Sequence, residues 1–135
     1  MIKPNKINYL HLDSKAKESY NFAKIAAILA DYGYESLWLN NDSNGADFLA
    51  NHATHTLRLQ LKGAIAFAEK YKYKDIYIVF KYEDGLWLYE HDTFLLEMPK
   101  KSQEYVKEHG YWSYNQIGPT MLERLERSEN TIYLD

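Results

Sequence analysis

Three side chains between residues 47 and 62 are of types that together can bind a cation and act on a phosphate. Asp47 lies in the segment GADFLAN, and Gln60 and Lys62 alternate with leucines in TLRLQLK. Successive side chains of a strand point to opposite faces, so the leucines share one face and the polar residues share the other. If the two segments form a hairpin, Asp47 comes near Gln60 and Lys62.

The chemistry that these residues suggest is metal-assisted. Hard cations such as Mg²⁺ or Mn²⁺ take carboxylate and carbonyl oxygens, which Asp47, Gln60 and the backbone of Leu61 offer. Lys62 could hold or deprotonate a metal-activated water, or stabilise the charge that builds on a phosphate. We therefore treat Lys62, Asp47 and Gln60 as candidate catalytic residues, and Asp47, Gln60 and Leu61 as candidate metal ligands.

A helix is predicted before these strands, over residues 14–32. Its apolar residues recur at spacings of three and four, namely Phe22, Ile25, Ile28, Leu29 and Tyr32. Asp13 or Ser14 can cap its start, and Gly33 can end it. Glu18 extends the apolar stripe toward the N-terminus of the helix, so its carboxylate either turns to solvent or faces a group that attracts charge.

The remaining elements follow from alternation and turn residues. Strands are predicted at 34–40, 46–51, 56–62, 74–82 and 86–91, turns at 42–45 and 83–85, helices at 91–98, 102–110 and 119–129, and a last strand at 131–135. No repeat or linker divides the chain, so 1–135 is expected to be one domain. The element order predicts an α/β fold with a central mixed sheet flanked by helices.

Composition limits the class of protein. The chain has 135 residues and no cysteine, which excludes disulfides and thiolate metal sites. No apolar run is long enough for a signal peptide or a membrane span. We therefore expect a soluble, cytoplasmic protein that has no membrane partner.

Charge is unevenly distributed along the chain. The net charge is −3, but six cations and two acids in 58–81 give that region +4, which leaves −7 elsewhere. Such a basic region can bind a polyanion locally. The alternative is that its lysines only protect strand edges and keep the protein in solution.

The segments quoted above resemble the PD-(D/E)XK nucleases, the restriction-endonuclease-like superfamily. The resemblance rests on GADFLA followed by QLK thirteen residues after Asp47, and on YNF, LADYG, KDIYIVF and HD, which extend it over most of 18–92. GYWSYNQIGPTMLERLE fits more loosely. The chain is most similar to small bacterial and phage endonuclease-like proteins that carry the QXK variant of the motif.

The resemblance implies a restriction-endonuclease-like core of a helix, three strands, a helix and a further strand. It also implies a DNA endonuclease that requires Mg²⁺ or Mn²⁺, with Asp47 as the strand aspartate, Gln60-Leu61-Lys62 as the triplet and Glu18 as a further metal ligand. Ala46 stands where the family has proline, and Gln60 replaces an acid, so the metal should be held more weakly.

The resemblance also gives the basic region a role, which is contact with the DNA backbone. The expected contacts are Arg58, Lys70, Lys72 and Lys74, since lysines neutralise phosphates and the interleaved tyrosines can stack or donate hydrogen bonds. Cleavage of both strands by so small a domain would need two copies, for which a two-fold homodimer is the common arrangement.

Two other functions remain open. The chain could be a catalytically weak or inactive relative that binds DNA or regulates another protein. It could also be a protein-interaction domain that uses exposed tyrosines and tryptophans.

The histidines give weaker signals. His52 and His55 lie three apart in a turn, where they are either surface residues or a metal-binding pair. His91 and Asp92 either cap a helix, through Asp92, or form a catalytic dyad; the cap is the reading we carry forward.

Overall fold

The structure is a computed structural model that describes the backbone of residues 1–135 and the side chains of residues 1–40 and 44–135. The helices are α1 (Ser14–Asp31), α2 (His91–Leu96), α3 (Lys100–His109) and α4 (Pro119–Arg127), with 3-10 turns at Tyr9–His11 and Glu69–Tyr71. The strands are β1 (Glu35–Ser43), β2 (Ala46–Asn51), β3 (Thr56–Leu61), β4 (Ile65–Ala68), β5 (Ile76–Tyr82), β6 (Gly85–Glu90), β7 (Tyr111–Tyr114) and β8 (Thr131–Leu134).

Six strands form the central sheet in the order β1-β2-β3-β5-β6-β8. β3 and β5 are parallel, and every other neighbouring pair is antiparallel. The sheet is therefore mixed, and with four helices it confirms the predicted α/β class. None of the helices in the described chain has the length and apolar character needed to cross a membrane.

Both faces of the sheet are covered, which explains the long apolar runs of β5 and β6. One face packs against α1, where Ile25 and Leu29 meet Phe48 and Leu59. The other face packs against α2, α3, α4 and the small sheet, with Phe80 among its buried residues. Each of these strands must therefore be apolar on both sides.

The start of α1 is fixed by Asp13, whose side chain accepts a hydrogen bond from the Ala16 N–H at 2.8 Å. The helix ends at Asp31, and Gly33, which follows the C-cap residue Tyr32, has a φ of +87°. Phe22 anchors the helix at the strands by edge-on ring contacts with Trp38 and Phe48, each at 4.9 Å between ring centres. The predicted helix is confirmed, and its N-terminal half is left free to face the end of the sheet.

A two-residue turn joins β1 to β2. Asn44 and Gly45 have φ values of +56° and +83°, as in the hairpin turns that match the strand twist. A side chain at Gly45 would place its Cβ 2.7 Å from Cδ1 of Ile76, so the Ile76 side chain would have to shift, and the positive φ itself favours glycine. Of the predicted 42–45 turn, the backbone of 42 and 43 belongs to β1, and their side chains lie outside the described residues.

The crossover from β3 to β5 differs from expectation. The family core implies a helix at this point, whereas the chain forms β4 and one 3-10 turn. β4 pairs with β7 in a separate two-stranded sheet. All four β4 residues are buried, so the segment shows no alternation that would have revealed a strand.

The start of α2 also corrects a prediction. Asp92 was expected to cap this helix, but the carboxylate of Glu90 accepts the N–H groups of Asp92 and Thr93 instead. Asp92 lies inside the first turn and accepts hydrogen bonds from the Tyr73 N–H and the His91 ring.

β8 meets the C-terminal end of α1 at one edge of the sheet. β8 pairs with β6, and Leu134 packs into the core beside α1. The Tyr32 hydroxyl, at the end of α1, donates to Asp135 at 2.9 Å. The last strand therefore completes the layer that α1 covers.

Candidate active site

The site lies where β2 and β3 diverge. The two strands pair as far as Phe48 opposite Leu59, and the same register puts Asp47 opposite Gln60. At that point the carboxylate Oδ2 of Asp47 accepts a hydrogen bond from the Leu61 N–H at 2.9 Å. A side chain thus takes the place of the partner strand, and the carboxylate is held in a defined position.

The backbone of Leu61 presents its carbonyl to the same place. In an extended strand the N–H and C=O of one residue point to the same side, and the Leu61 N–H points to Asp47. The next residue bonds in the other direction, because the Lys62 N–H donates to the Val79 carbonyl on β5 at 3.0 Å. The Leu61 carbonyl is therefore on the side of β3 that faces β2, the same side as its N–H.

All five residues predicted for metal binding and catalysis line one open cavity of about 810 Å³, between the N-terminal half of α1 and the end of the sheet. They are Glu18, Asp47, Gln60, Leu61 and Lys62. Glu18 is exposed, whereas the other four are half-buried. These five residues lie up to 44 positions apart in the sequence.

Lys62 rests between two aromatic rings. Its Nζ lies 5.5 Å from the centre of the Tyr71 ring and 5.6 Å from that of Tyr111. Ring faces attract an ammonium group without neutralising it. The lysine at the candidate site is thus held by the crossover and by β7, through contacts that are not ion pairs.

The donor atoms suit a hard cation. Asp47, Glu18, Gln60 and the Leu61 carbonyl offer only oxygen, as Mg²⁺ and Mn²⁺ prefer. Among the described residues, no three His, Cys, Asp or Glu side chains cluster as a metal-binding group. A cation held here would have the amide and the backbone carbonyl available besides the two carboxylates.

The cavity is basic although the protein is acidic. Four lysines line it, against the two carboxylates of Glu18 and Asp47; they are Lys17, Lys24, Lys62 and Lys81. Lys17 and Lys24 were not among the site residues predicted from the sequence. Their signal was the spacing of seven residues, which places both on one side of α1, between Ser14 and Ile25.

The predicted DNA contacts lie apart from this cavity. Arg58 and Lys74 line a second cavity of about 560 Å³ that shares no residue with the first and also contains Asp75 and Asp92. Arg58 donates to the Asn44 carbonyl at 3.4 Å. The acids of this second cavity offset its two cations.

The other two predicted contacts lie on the 3-10 turn of the crossover and just after it. Lys72 forms an ion pair with Glu69 at 2.8 Å, and Lys70 lies over the Tyr71 ring at 5.4 Å. Neither lines the candidate site.

The two histidines of the β2–β3 turn form a small polar cluster. Their rings stack at 4.9 Å, and the backbone of His52 donates to the His55 carbonyl at 2.8 Å. Nε2 of His55 contacts the Tyr34 hydroxyl at 2.8 Å, and Nδ1 of His55 contacts Thr54. These contacts fix the turn, and both ring nitrogens of His55 are engaged.

His91 has a structural role. It is fully buried, and its Nε2 accepts the Ala68 N–H at 3.0 Å. Nε2 is therefore unprotonated, so Nδ1 carries the hydrogen that is donated to Asp92 at 2.8 Å. Burial lowers the pKa of His91, and the Asp92 hydrogen bond opposes this only in part. Because both nitrogens are occupied inside the core, this pair is not placed for catalysis.

Comparison of the chain with models of known protein families, with curated proteins and with solved structures finds no match in any of the three.

Proposed function

We propose that the protein is a metal-dependent DNA endonuclease of the PD-(D/E)XK type that hydrolyses phosphodiester bonds. The observation that carries the proposal is the convergence of Glu18, Asp47, Gln60, Leu61 and Lys62 on one basic cavity. The element order also supports the proposal: α1 is followed by the antiparallel strands β1, β2 and β3, and β5 then pairs with β3 in parallel.

In this proposal the residues divide the work. Asp47, Gln60 and the Leu61 carbonyl would hold Mg²⁺ or Mn²⁺, with Glu18 completing the oxygen set. A bound cation would supply Lewis-acid polarisation of the phosphate and a more acidic water. The hydrogen bond from the Leu61 N–H keeps Asp47 oriented before any ligand arrives, which reduces the reorganisation that the reaction requires.

Lys62 would act on the reacting phosphate. Its ammonium group can donate to the attacking water or to a phosphate oxygen as negative charge develops there. The rings of Tyr71 and Tyr111 restrict the lysine to this part of the cavity. The half-buried position of Lys62 strengthens its electrostatic effect relative to that of a lysine in open water.

The test is a plasmid-nicking assay with Mg²⁺ or Mn²⁺ and with EDTA. We expect wild type to nick or cleave only with metal, and Lys62→Ala to lower the rate about 100- to 1,000-fold, or ~3–4 kcal/mol, as for the loss of one preorganised donor. Binding of DNA should change little, because several lysines share the phosphate contacts.

The control is Lys101→Ala, which removes the same charge from an exposed position on α3. It should cleave like wild type. Activity that survives in Lys62→Ala would point to a contaminant or another active site. If wild type binds DNA in a salt-dependent way but cleaves no DNA form, the protein is the non-enzymatic DNA-binding relative. If it neither binds nor cleaves, a protein-interaction role takes precedence.

A further inference from the structure

The lysines of α1 that line the cavity suggest a second role for it. We propose that Lys17 and Lys24 of α1, together with Lys81 of β5, bind the phosphodiester backbone of a nucleic acid on either side of the bond to be cut. The inference rests on the proposed function for the identity of the ligand. It replaces the sequence-based assignment of backbone binding to Arg58, Lys70, Lys72 and Lys74.

Helix geometry places these lysines along one line. Ser14, Lys17, Asn21 and Lys24 recur at spacings of three and four, so they share the side of α1 that faces the cavity. A rise of 1.5 Å per residue puts Lys17 and Lys24 about 10 Å apart along the axis. That distance corresponds to roughly three steps of a B-form strand. Glu18 lies between them, so the two lysines flank the candidate metal position.

Each of the two helix lysines lies over an aromatic ring. Nζ of Lys17 lies 5.4 Å from the centre of the Tyr9 ring, and Nζ of Lys24 lies 5.3 Å from that of Tyr20. Among the described residues, no carboxylate lies within ion-pair distance of either lysine. Lys72 differs in this respect, since its charge is paired with Glu69.

The tyrosines belong to a small cluster that joins the chain before α1 to the cavity wall. The rings of Tyr9 and Tyr20 are 5.2 Å apart, and the Asn21 side chain donates to the Tyr9 hydroxyl at 3.0 Å. Tyr20 and Asn21 also line the cavity. The segment that leads up to Tyr9 contains Lys3 and Lys6 and no acid.

Substrate size follows from the same cavity. Its volume of about 810 Å³ lies within the range of small-ligand clefts, so it holds a short stretch of one strand and not the full width of a duplex. The ligand that the cavity would bind is then one phosphodiester strand, which can be a free single strand or one strand of a duplex. Binding measurements with single-stranded and with duplex oligonucleotides distinguish these two forms.

The experiment measures binding without cleavage, by fluorescence anisotropy of labelled oligonucleotides in EDTA over a range of salt. Lys17→Ala/Lys24→Ala is compared with Lys70→Ala/Lys74→Ala, and with Lys101→Ala/Lys107→Ala on α3 as a control of equal charge. We expect the α1 pair to weaken binding at least tenfold and to lower the slope of log K against log salt by about 1.4 for single strands or 1.8 for duplex. The other two pairs should change the slope by much less.

A further variant separates charge from folding. Lys17→Arg/Lys24→Arg should keep the wild-type salt slope, and thermal unfolding should show that all variants are folded. An equal or larger loss in the Lys70/Lys74 pair, an unchanged slope in the α1 pair, or no binding by wild type would each overturn the inference. If the Lys17→Ala/Lys24→Ala variant loses binding as expected but wild type never cleaves DNA, only the proposed nuclease chemistry is overturned.

Discussion

At the scale of single residues, the candidate site is defined by a carboxylate that is already oriented. Asp47 accepts the Leu61 N–H, which holds it beside the Leu61 carbonyl and opposite Gln60. The alternation of TLRLQLK and its distance from Asp47 were enough to predict this grouping, because strand geometry is periodic and local. The hydrogen bond itself was not predictable, since it depends on where the two strands stop pairing.

Gln60 gives a prediction with a defined sign. Gln60→Glu replaces a neutral oxygen by a charged one, so we expect Mn²⁺ to bind about tenfold more tightly, or ~1.4 kcal/mol, by isothermal titration calorimetry. Gln116→Glu is the control, since it adds the same charge at an exposed loop position away from the cavity. Equal gains in both variants would show that the cation responds to net charge alone and not to a ligand at position 60.

At the scale of elements, the crossover shows how side chains can replace a missing strand. β4 pairs with β7 on one side only. On its other side, the Tyr89 hydroxyl accepts the Ala66 N–H at 2.8 Å and donates to the Ala66 carbonyl at 2.7 Å. His91 accepts the N–H of Ala68, two residues further along the same edge. Burial also raises the pKa of Tyr89, so its hydroxyl stays protonated and able to donate.

The pairing of β4 with β7 and with these side chains could not be predicted from the sequence. The run IAFA is apolar throughout, so it has no period to interpret, and its partner YWSY begins 43 positions after it ends. The strands of the central sheet were predictable because each carries alternation or turn residues of its own. The cap at Glu90 was missed because two acids flank His91, and only the backbone direction decides which of them reaches the free N–H groups.

Removing the hydroxyl of Tyr89 should be costly. Tyr89→Phe leaves two buried backbone groups of Ala66 without partners, so we expect the free energy of unfolding to fall by about 1–3 kcal/mol in urea titrations. Tyr73→Phe is the matched control, because Tyr73 is 93% exposed. A loss no greater than that of the control would mean that water reaches the edge of β4.

His91 should make stability depend on pH. Its pKa in the folded protein is lowered by burial, so the unfolded chain binds the proton more readily. The stabilising effect is complete above the unfolded pKa of about 6.5, and it is lost as the pH falls below that value toward the folded pKa. The loss is at most ~1.4 kcal/mol per pH unit.

Urea unfolding at pH 7.5, 6.5 and 5.5 measures this effect. Wild type should lose more stability between pH 6.5 and 5.5 than His91→Gln, which has no ring to protonate. His109→Gln, at an exposed position, should follow wild type. The same pH slope in all three proteins would place the acid sensitivity in other groups.

At the scale of the whole molecule, charge is sorted by the fold and not by position in the sequence. Residues of the basic region 58–81 line two different cavities, because the parallel strands β3 and β5 both begin near Arg58 and Lys74 and both end near Lys62 and Lys81. The lysines that join Lys62 and Lys81 come from α1, about 40 to 60 positions earlier. Net charge along a sequence window therefore predicted that a basic surface exists, but not which residues form it.

The cavity should also couple cation binding to folding. A ligand that binds only the folded state stabilises it by about 2.7 kcal/mol at 100 times its Kd. Saturating Mn²⁺ should therefore raise the thermal midpoint of wild type by several degrees. Asp47→Ala should show little shift relative to its own metal-free midpoint. Comparable shifts in both proteins would indicate that the cation binds elsewhere.

The contact between Tyr32 and Asp135 joins positions 103 residues apart, so it cannot form during synthesis until residue 135 has been added. At roughly 5–20 residues per second, a ribosome needs about 5–20 s to travel from one to the other. From the synthesis of β6 until that of β8, β6 has no outer neighbour, and the layer under α1 lacks Leu134. Apart from Gly63 and Lys81, every residue that lines the candidate site has been synthesised by position 62, yet the layer beneath α1 is complete only when β8 has been synthesised.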